Sequence, residues 1–136
     1  MIREMRKNKY ASKKISFNGL IFDSKAEFND FFYLRNLLKK REIKDLYRQV
    51  KIILSDIKNY KCTYIADFVF FDIKKNAWFI WDTKGIITPA YRVKRAWLLS
   101  TFNDFIFIEN QNNNKKEFLP KGEKSLKSFF ENLERV

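Results

Sequence analysis

Two neighbouring runs constrain this chain most: Tyr64-Ile65-Ala66-Asp67-Phe68-Val69-Phe70-Phe71 and Trp78-Phe79-Ile80-Trp81-Asp82-Thr83-Lys84-Gly85. Both are apolar, aromatic and β-branched, the composition of strands buried in a sheet. Each nevertheless carries an aspartate, which a buried strand tolerates only with a partner. The link between them, Asp72 to Ala77, is short and polar and predicts a hairpin. Folding it about Lys74 and Lys75 opposes Asp67 to Asp82 and Ile65 to Lys84. Opposed residues share a face, with Cβ atoms about 4.5–5.5 Å apart. Two carboxylates and a lysine are thus expected on one face of an otherwise greasy sheet. Such carboxylates repel unless a cation lies between them, and a divalent ion meets that need best.

The 136 residues suffice for one packed core, and an apolar share of 46% argues against disorder. A formal charge of +12 favours a polyanionic partner, nucleic acid first and an anionic membrane surface second. Lys, Asn, Ile and Phe are also abundant in the manner of AT-rich coding, so charge alone decides little. No apolar run is long enough to span a bilayer, and the first residues do not form a signal peptide. The single cysteine, Cys62, forms no internal disulfide, and a cytoplasmic protein is expected. The chain contains no histidine. That removes zinc–histidine sites, histidine-dependent nucleases and Ser-His-Asp hydrolysis, leaving carboxylates, lysines and metal.

Residues 1–14 are basic and lack a helical apolar stripe, which predicts a flexible arm ahead of a single domain over 15–136. Such an arm either touches a phosphate backbone or is a solubilising tail. Ile15 to Phe22 alternates around Asn18-Gly19, a hairpin signal. Ser24-Lys25-Ala26-Glu27 is a capping box opening a helix to Arg41, whose stripe runs through Phe28, Phe31, Phe32, Leu34, Leu37 and Leu38. Glu27 lies on the core side of that helix, so capping and a site role are compatible. A strand follows over Leu46–Leu54; its Gln49 is either solvated or reaches the site. Ser55 to Lys61 reads as a turn. Thr88-Pro89 opens a second helix with Val93, Ala96, Trp97 and Ser100 as its inward line. Arg92, Lys94 and Arg95 crowd its positive end, where cations are disfavoured unless an anion is near. Phosphate contact would remove that conflict. A strand over Asp104–Glu109, a polar loop over Asn110–Gly122 and a helix over Glu123–Arg135 complete the chain. The crossover from Trp78 to Glu109 predicts one parallel pair in a mixed sheet covered by helices on both faces.

Glu27 on the first helix, Asp67 on one strand and Asp82-Thr83-Lys84 on the next resemble the PD-(D/E)XK nuclease superfamily. More narrowly, the chain is similar to a family of small phage endonuclease-like proteins. The shared pieces are Ser24-Lys25-Ala26-Glu27, Tyr64-Ile65-Ala66-Asp67-Phe68, and Asp82-Thr83-Lys84-Gly85 followed by Thr88 and Lys94. The likeness spans about Tyr10 to Glu109. Ala66 stands where the superfamily's name places a proline, as in many members. The resemblance implies an α/β, restriction-endonuclease-like core of helix, three strands, helix and strand, with the N-terminal hairpin and C-terminal helix added. It also implies metal-dependent hydrolysis of DNA leaving a 5′-phosphate and a 3′-hydroxyl.

The residue types suit that chemistry. Mg²⁺, or Mn²⁺ in its place, takes oxygen ligands and keeps several waters. Asp67 and Asp82 supply two ligands, the Thr83 carbonyl a third, and Glu27 a metal-bound water or second metal. Lys84 would position the attacking water or stabilise charge on the phosphate. Gln49, Arg92, Lys94 and Arg95 are candidate nucleic-acid contacts. Three readings compete. The first is a Mg²⁺-dependent DNA endonuclease, selective for branched or Holliday-junction DNA in phage replication or recombination, acting in a host cytoplasm; a two-fold junction favours a homodimer. The second is a non-catalytic nucleic-acid-binding protein with the same fold. The third, a membrane-surface protein, lacks the amphipathic helix it needs.

Overall fold

The computed structural model describes the backbone of residues 2–7 and, in full, residues 13–133. Its strands are β1 (Ile2–Lys7), β2 (Lys13–Phe17), β3 (Leu20–Phe22), β4 (Ile43–Ile57), β5 (Tyr60–Asp72), β6 (Ala77–Lys84), β7 (Phe102–Asn103), β8 (Ile106–Gln111), β9 (Asn114–Phe118) and β10 (Lys124–Ser125). The helices are α1 (Lys25–Lys39), α2 (Pro89–Thr101) and α3 (Lys127–Glu131).

The protein is mixed α/β. Its central sheet runs β4-β5-β6-β8-β9, antiparallel except for the parallel pair β6–β8. A parallel pair needs a crossover, and α2 supplies it. Buried Phe28, Phe31 and Leu34 of α1 pack with Phe68, Phe70, Phe79 and Trp81 on one face. Leu98 of α2 and Leu126 and Phe130 around α3 pack with Val69, Trp78, Ile80 and Phe107 on the other. Covered on both sides, β5 and β6 are apolar on both sides.

The turn chemistry of the N-terminal hairpin holds: Phe17 pairs with Leu20, and Asn18 and Gly19 take positive φ, 50° and 80°. Ser24 caps α1 by accepting the Glu27 N–H at 3.1 Å.

Five expectations change. The basic segment is not wholly an arm, because β1 pairs antiparallel with β2, Ile2 opposite Phe17. A strand edge binds backbone whatever the side chains, so the missing helical stripe was no sign of a free segment; residues 8–12 lie outside the described residues. The expected turn at 55–61 is a tighter hairpin, with Ile57 paired to Tyr60 and Asn59 at φ 73°. The expected polar loop contains β9, returning against β8 through Asn112 and Asn113 at φ 51° and 66°. An exposed edge strand is polar by necessity, and that composition imitates a loop. The terminal helix is short, its start replaced by β10, which pairs with β7.

Finally, α2 turns a different face inward. Val93, Ala96, Trp97 and Ser100 are exposed, whereas Leu98 is buried and Tyr91 and Arg95 are half-buried. Two stripes on this helix satisfy the same 3.6-residue period, and the polar ends of Tyr91 and Arg95 hid the inward one.

Candidate functional site

The site forms where β5 and β6 part. Their antiparallel ladder runs from Asp72↔Ala77 to Phe68↔Trp81, in the register expected from the hairpin. One step on, at Asp67 and Asp82, side chains replace the ladder. The Asp67 N–H donates to Asp82 Oδ1 at 2.9 Å, and Asp67 Oδ2 accepts the Thr83 N–H at 2.9 Å. Ile65 and Lys84 are therefore not ladder partners, although both line a small cavity beyond the split.

The alternation of faces along both strands breaks at the same level. Ala66 packs on the α2 side and Phe68 on the α1 side, although residues two apart on a regular strand share a face. On β4, Arg48 lies 4.0 Å over the Phe22 ring on the α1 side, while Val50 joins the α2 side. Between them Gln49 has φ 53°, a left-handed backbone unusual for this residue. The paired residues Arg48↔Phe68 and Val50↔Ala66 leave Gln49 and Asp67 between them out of the ladder. Gln49 there meets Glu27 of α1, and Asp67 is linked to α1 through Gln49.

Glu27 arrives from the first turn of α1. Its Oε2 accepts the Asp23 N–H at 3.0 Å, closing the cap, and its Oε1 accepts Gln49 Nε2 at 2.9 Å. Gln49 Nε2 also lies 3.4 Å from Asp67 Oδ1, so one amide bridges the two carboxylates. Arg48 stands 3.7 Å from Glu27. The expected cap is present, and Gln49 links Glu27 to Asp67. Gln49, a candidate nucleic-acid contact, is exposed and spends its amide nitrogen on the two carboxylates.

Burial dominates the electrostatics. Asp82 is fully buried, and this pushes its carboxyl up to about 6, with Lys84 and the Asp67 N–H opposing and Glu109 assisting. Glu27 is pushed up to about 7, first by burial and then by the Asp67 carboxylate. Asp67 is raised by burial, against Lys84 and the Thr83 N–H. Asp82 Oδ2 is buried with no hydrogen-bond partner among the described residues. An orphaned carboxylate oxygen beside a second carboxylate is the donor set a hard divalent ion takes. Among the described residues, no three acidic or cysteine side chains gather closely enough to hold an ion by themselves. The fit is thus to an ion held by one or two carboxylates and completed by water or phosphate, the usual state of Mg²⁺.

Lys84 ends β6 on the Asp82 side, its Nζ 4.4 Å over the Tyr91 ring. Tyr91 Oη donates to Glu109 Oε1 at 2.7 Å, and Arg95 forms an ion pair with the same carboxylate. Glu109 is buried and sits beside Asp82 in the parallel ladder. Arg95 also covers the Phe118 ring at 4.5 Å. Arg95, a candidate nucleic-acid contact, is thus paired inside the fold with Glu109. Arg92 and Lys94 are exposed.

Three groups escaped the sequence reading: Glu109, Tyr91 and Asp30. Asp30 accepts Trp81 Nε1 at 2.9 Å, Thr83 Oγ1 at 2.5 Å and Asn110 Nδ2 at 2.9 Å, pinning the end of β6 to α1. Its spacing of three from Glu27 on one helix was a usable signal. A larger cavity of about 770 Å³, bordered by Lys44, Trp78, Phe105 and Phe130, touches none of the candidate residues. No described helix is long and apolar enough to cross a membrane.

A family model described as "Protein of unknown function (DUF1064)" matches residues 7–115. No curated protein and no solved structure matches the chain significantly.

Proposed function

The chain belongs to the DUF1064 family, and from the geometry of its site we propose that it is a metal-dependent DNA endonuclease of the PD-(D/E)XK type. The observation that carries this reading is the notch between β5 and β6. There Asp82 accepts the Asp67 N–H and Asp67 accepts the Thr83 N–H, with one buried Asp82 oxygen left over and Lys84 two residues beyond Asp82. An ordinary salt-bridged strand end would neither bury an orphaned oxygen nor draw in Glu27 through Gln49. The succession α1, β4, β5, β6, α2, β8 agrees with a restriction-endonuclease-like core.

Asp67 and Asp82 are the residues to hold Mg²⁺ or Mn²⁺, with the Thr83 carbonyl as a further oxygen. A divalent ion supplies charge neutralisation at the phosphate and acidifies water near neutral pH. Glu27, its carboxyl near 7, is poised to accept the proton of an attacking water. Lys84 offers a positive charge to the phosphate as negative charge builds there. Tyr91 confines that ammonium to one side of the notch. The basic balance of the chain suits DNA, and branched DNA cut by a homodimer is the finer form of the reading.

The test is nicking of supercoiled, linear, single-stranded and four-way-junction DNA with either metal. Cleavage lost in Asp82→Ala and Lys84→Ala, with both variants folded, is the expected result; no cleavage of any of these substrates ends the enzyme reading. A second reading keeps nucleic-acid binding without catalysis. It is favoured by the lack, among the described residues, of a three-carboxylate cluster. Binding that persists with both metals present and no strand scission selects it.

A further inference from the structure

Thr83, the residue between Asp82 and Lys84, is held from two sides. Its N–H donates to Asp67 Oδ2 at 2.9 Å, and its hydroxyl donates to Asp30 Oδ2 at 2.5 Å. A strand residue sends its N–H and C=O out by the same edge. The Thr83 amide leaves toward β5, so its carbonyl does too, at the level where β5 has parted from β6. Branching at Cβ leaves a threonine side chain few rotamers, so a fixed hydroxyl constrains the backbone that carries the carbonyl.

The acceptor of that hydroxyl is itself well held. Asp30 is 7% exposed, and Asn110 Nδ2 donates to both of its oxygens at 2.9 Å, with Trp81 Nε1 on the same oxygen as Thr83. No Lys or Arg pairs with it among the described residues. A buried carboxylate without a cation costs more than the neutral acceptor that a simple tie between α1 and β6 requires. Of its three donors, only Thr83 also bonds a candidate metal ligand, Asp67.

We infer that Asp30 is a positioning residue for the divalent ion: through the Thr83 hydroxyl it holds the Thr83 carbonyl in the notch, as a further oxygen beside Asp67 and Asp82. The inference rests on the nuclease reading for the ion and its ligands.

The experiment titrates the full chain with Mn²⁺ and follows the free-ion electron paramagnetic resonance signal, so binding is measured without DNA or cleavage. Thr83→Val replaces the hydroxyl by a methyl of similar size and should weaken Mn²⁺ binding roughly tenfold, as loss of support around a metal ligand does. Thr83→Ser keeps the hydroxyl and should keep most of the affinity. Asp30→Asn should weaken binding as well, and adding it to Thr83→Val should weaken it little further, because both remove one contact. Trp81→Phe takes another donor from the same oxygen while Asn110 still holds Asp30; it should lower the melting temperature and leave Mn²⁺ affinity nearly unchanged. Unchanged affinity in Thr83→Val overturns the inference, as does no uptake of Mn²⁺ by wild type. An equal loss in Thr83→Val and Trp81→Phe also overturns it, because the tie would then be purely structural. If Thr83→Val weakens Mn²⁺ binding while wild type cuts no DNA, the positioning role stands and the nuclease reading falls. If wild type cuts DNA and Thr83→Val binds Mn²⁺ as tightly, the inference alone falls.

Discussion

Asp67 and Asp82 are tied across the strand split by two backbone amides: the Asp67 N–H donates to Asp82 Oδ1, and the N–H of Thr83, next to Asp82, donates to Asp67 Oδ2, each at 2.9 Å. The arrangement holds two like-charged groups together at the point where their strands separate. It satisfies three of the four carboxylate oxygens, the third through a long contact to Gln49, and leaves Asp82 Oδ2 buried and unpaired. An unpaired buried oxygen costs stability, which is the mark expected of a site under the proposed reading.

Substitution at Asp82 therefore separates folding from chemistry. Asp82→Asn keeps the acceptor for the Asp67 N–H and removes a buried charge, so the metal-free protein should melt no lower than wild type at pH 7.5. Asp82→Ala strands that N–H and should cost about 1–3 kcal/mol. Both should lose metal-dependent nicking by at least about a hundredfold. Thermal melts beside a nicking assay check the pair, and a well-folded Asp82→Asn that still nicks at full rate removes Asp82 from the site.

The raised carboxyls also set how the metal-free protein responds to pH. A carboxyl raised on folding binds its proton more tightly in the native state, so its stabilisation is complete below the unfolded value and is lost as pH rises through the folded one. For Asp82 that window runs from 3.8 to about 6, and for Glu27 from 4.5 to about 7. Between pH 5 and 7.5 the melting temperature in EDTA should fall by several degrees, since each unit is worth about 1.4 kcal/mol when fully expressed. Millimolar Mg²⁺ should recover much of that loss at pH 7.5 and little at pH 5. A melting curve flat over this range, or a recovery independent of pH, would count against the carboxylate assignment.

Glu27 carries two duties that one pair of variants can divide. Ser24→Ala removes the side-chain cap and should cost about 1 kcal/mol without altering the rate of cleavage. Glu27→Gln keeps an oxygen for the Asp23 N–H and removes the charge that opposes Asp67, but turns the acceptor that Gln49 uses into a donor, so it should cost no more than about 1 kcal/mol while the rate drops roughly 10²–10⁴-fold. If Glu27→Gln cleaves normally, the glutamate is a cap and nothing more.

The parts legible in the sequence were those whose signal is local. Asn18-Gly19, Ser24 with Glu27, and Thr88-Pro89 each specify a backbone geometry within a few residues, and each is found where expected. The hairpin register was legible because a six-residue polar link has one natural centre. What could not be read depends on tertiary partners. Glu109 looked like an ordinary strand end until the parallel ladder set it beside Asp82. Arg95 looked like a surface cation because the carboxylate that claims it lies across a crossover. The left-handed turn at Gln49 has no sequence signature, since any side chain there adopts it only under tertiary constraint.

Arg95 and Lys94 give the sharpest contrast between neighbours. Arg95 is paired with a carboxylate that is 2% exposed, so Arg95→Ala leaves a buried charge without its partner and should destabilise by about 3–5 kcal/mol. Arg95→Ala with Glu109→Gln should recover part of that loss, because the charge needing compensation is gone while the acceptor for Tyr91 remains. Lys94 has an exposed side chain at the cavity rim. Lys94→Ala should leave the melting temperature within about a degree and reduce the slope of log affinity for DNA against log salt by roughly one. Denaturant titrations and salt-dependent binding measure the two effects. The reverse pattern, Arg95→Ala weakening only DNA and Lys94→Ala weakening only the fold, would return Arg95 to the nucleic-acid surface.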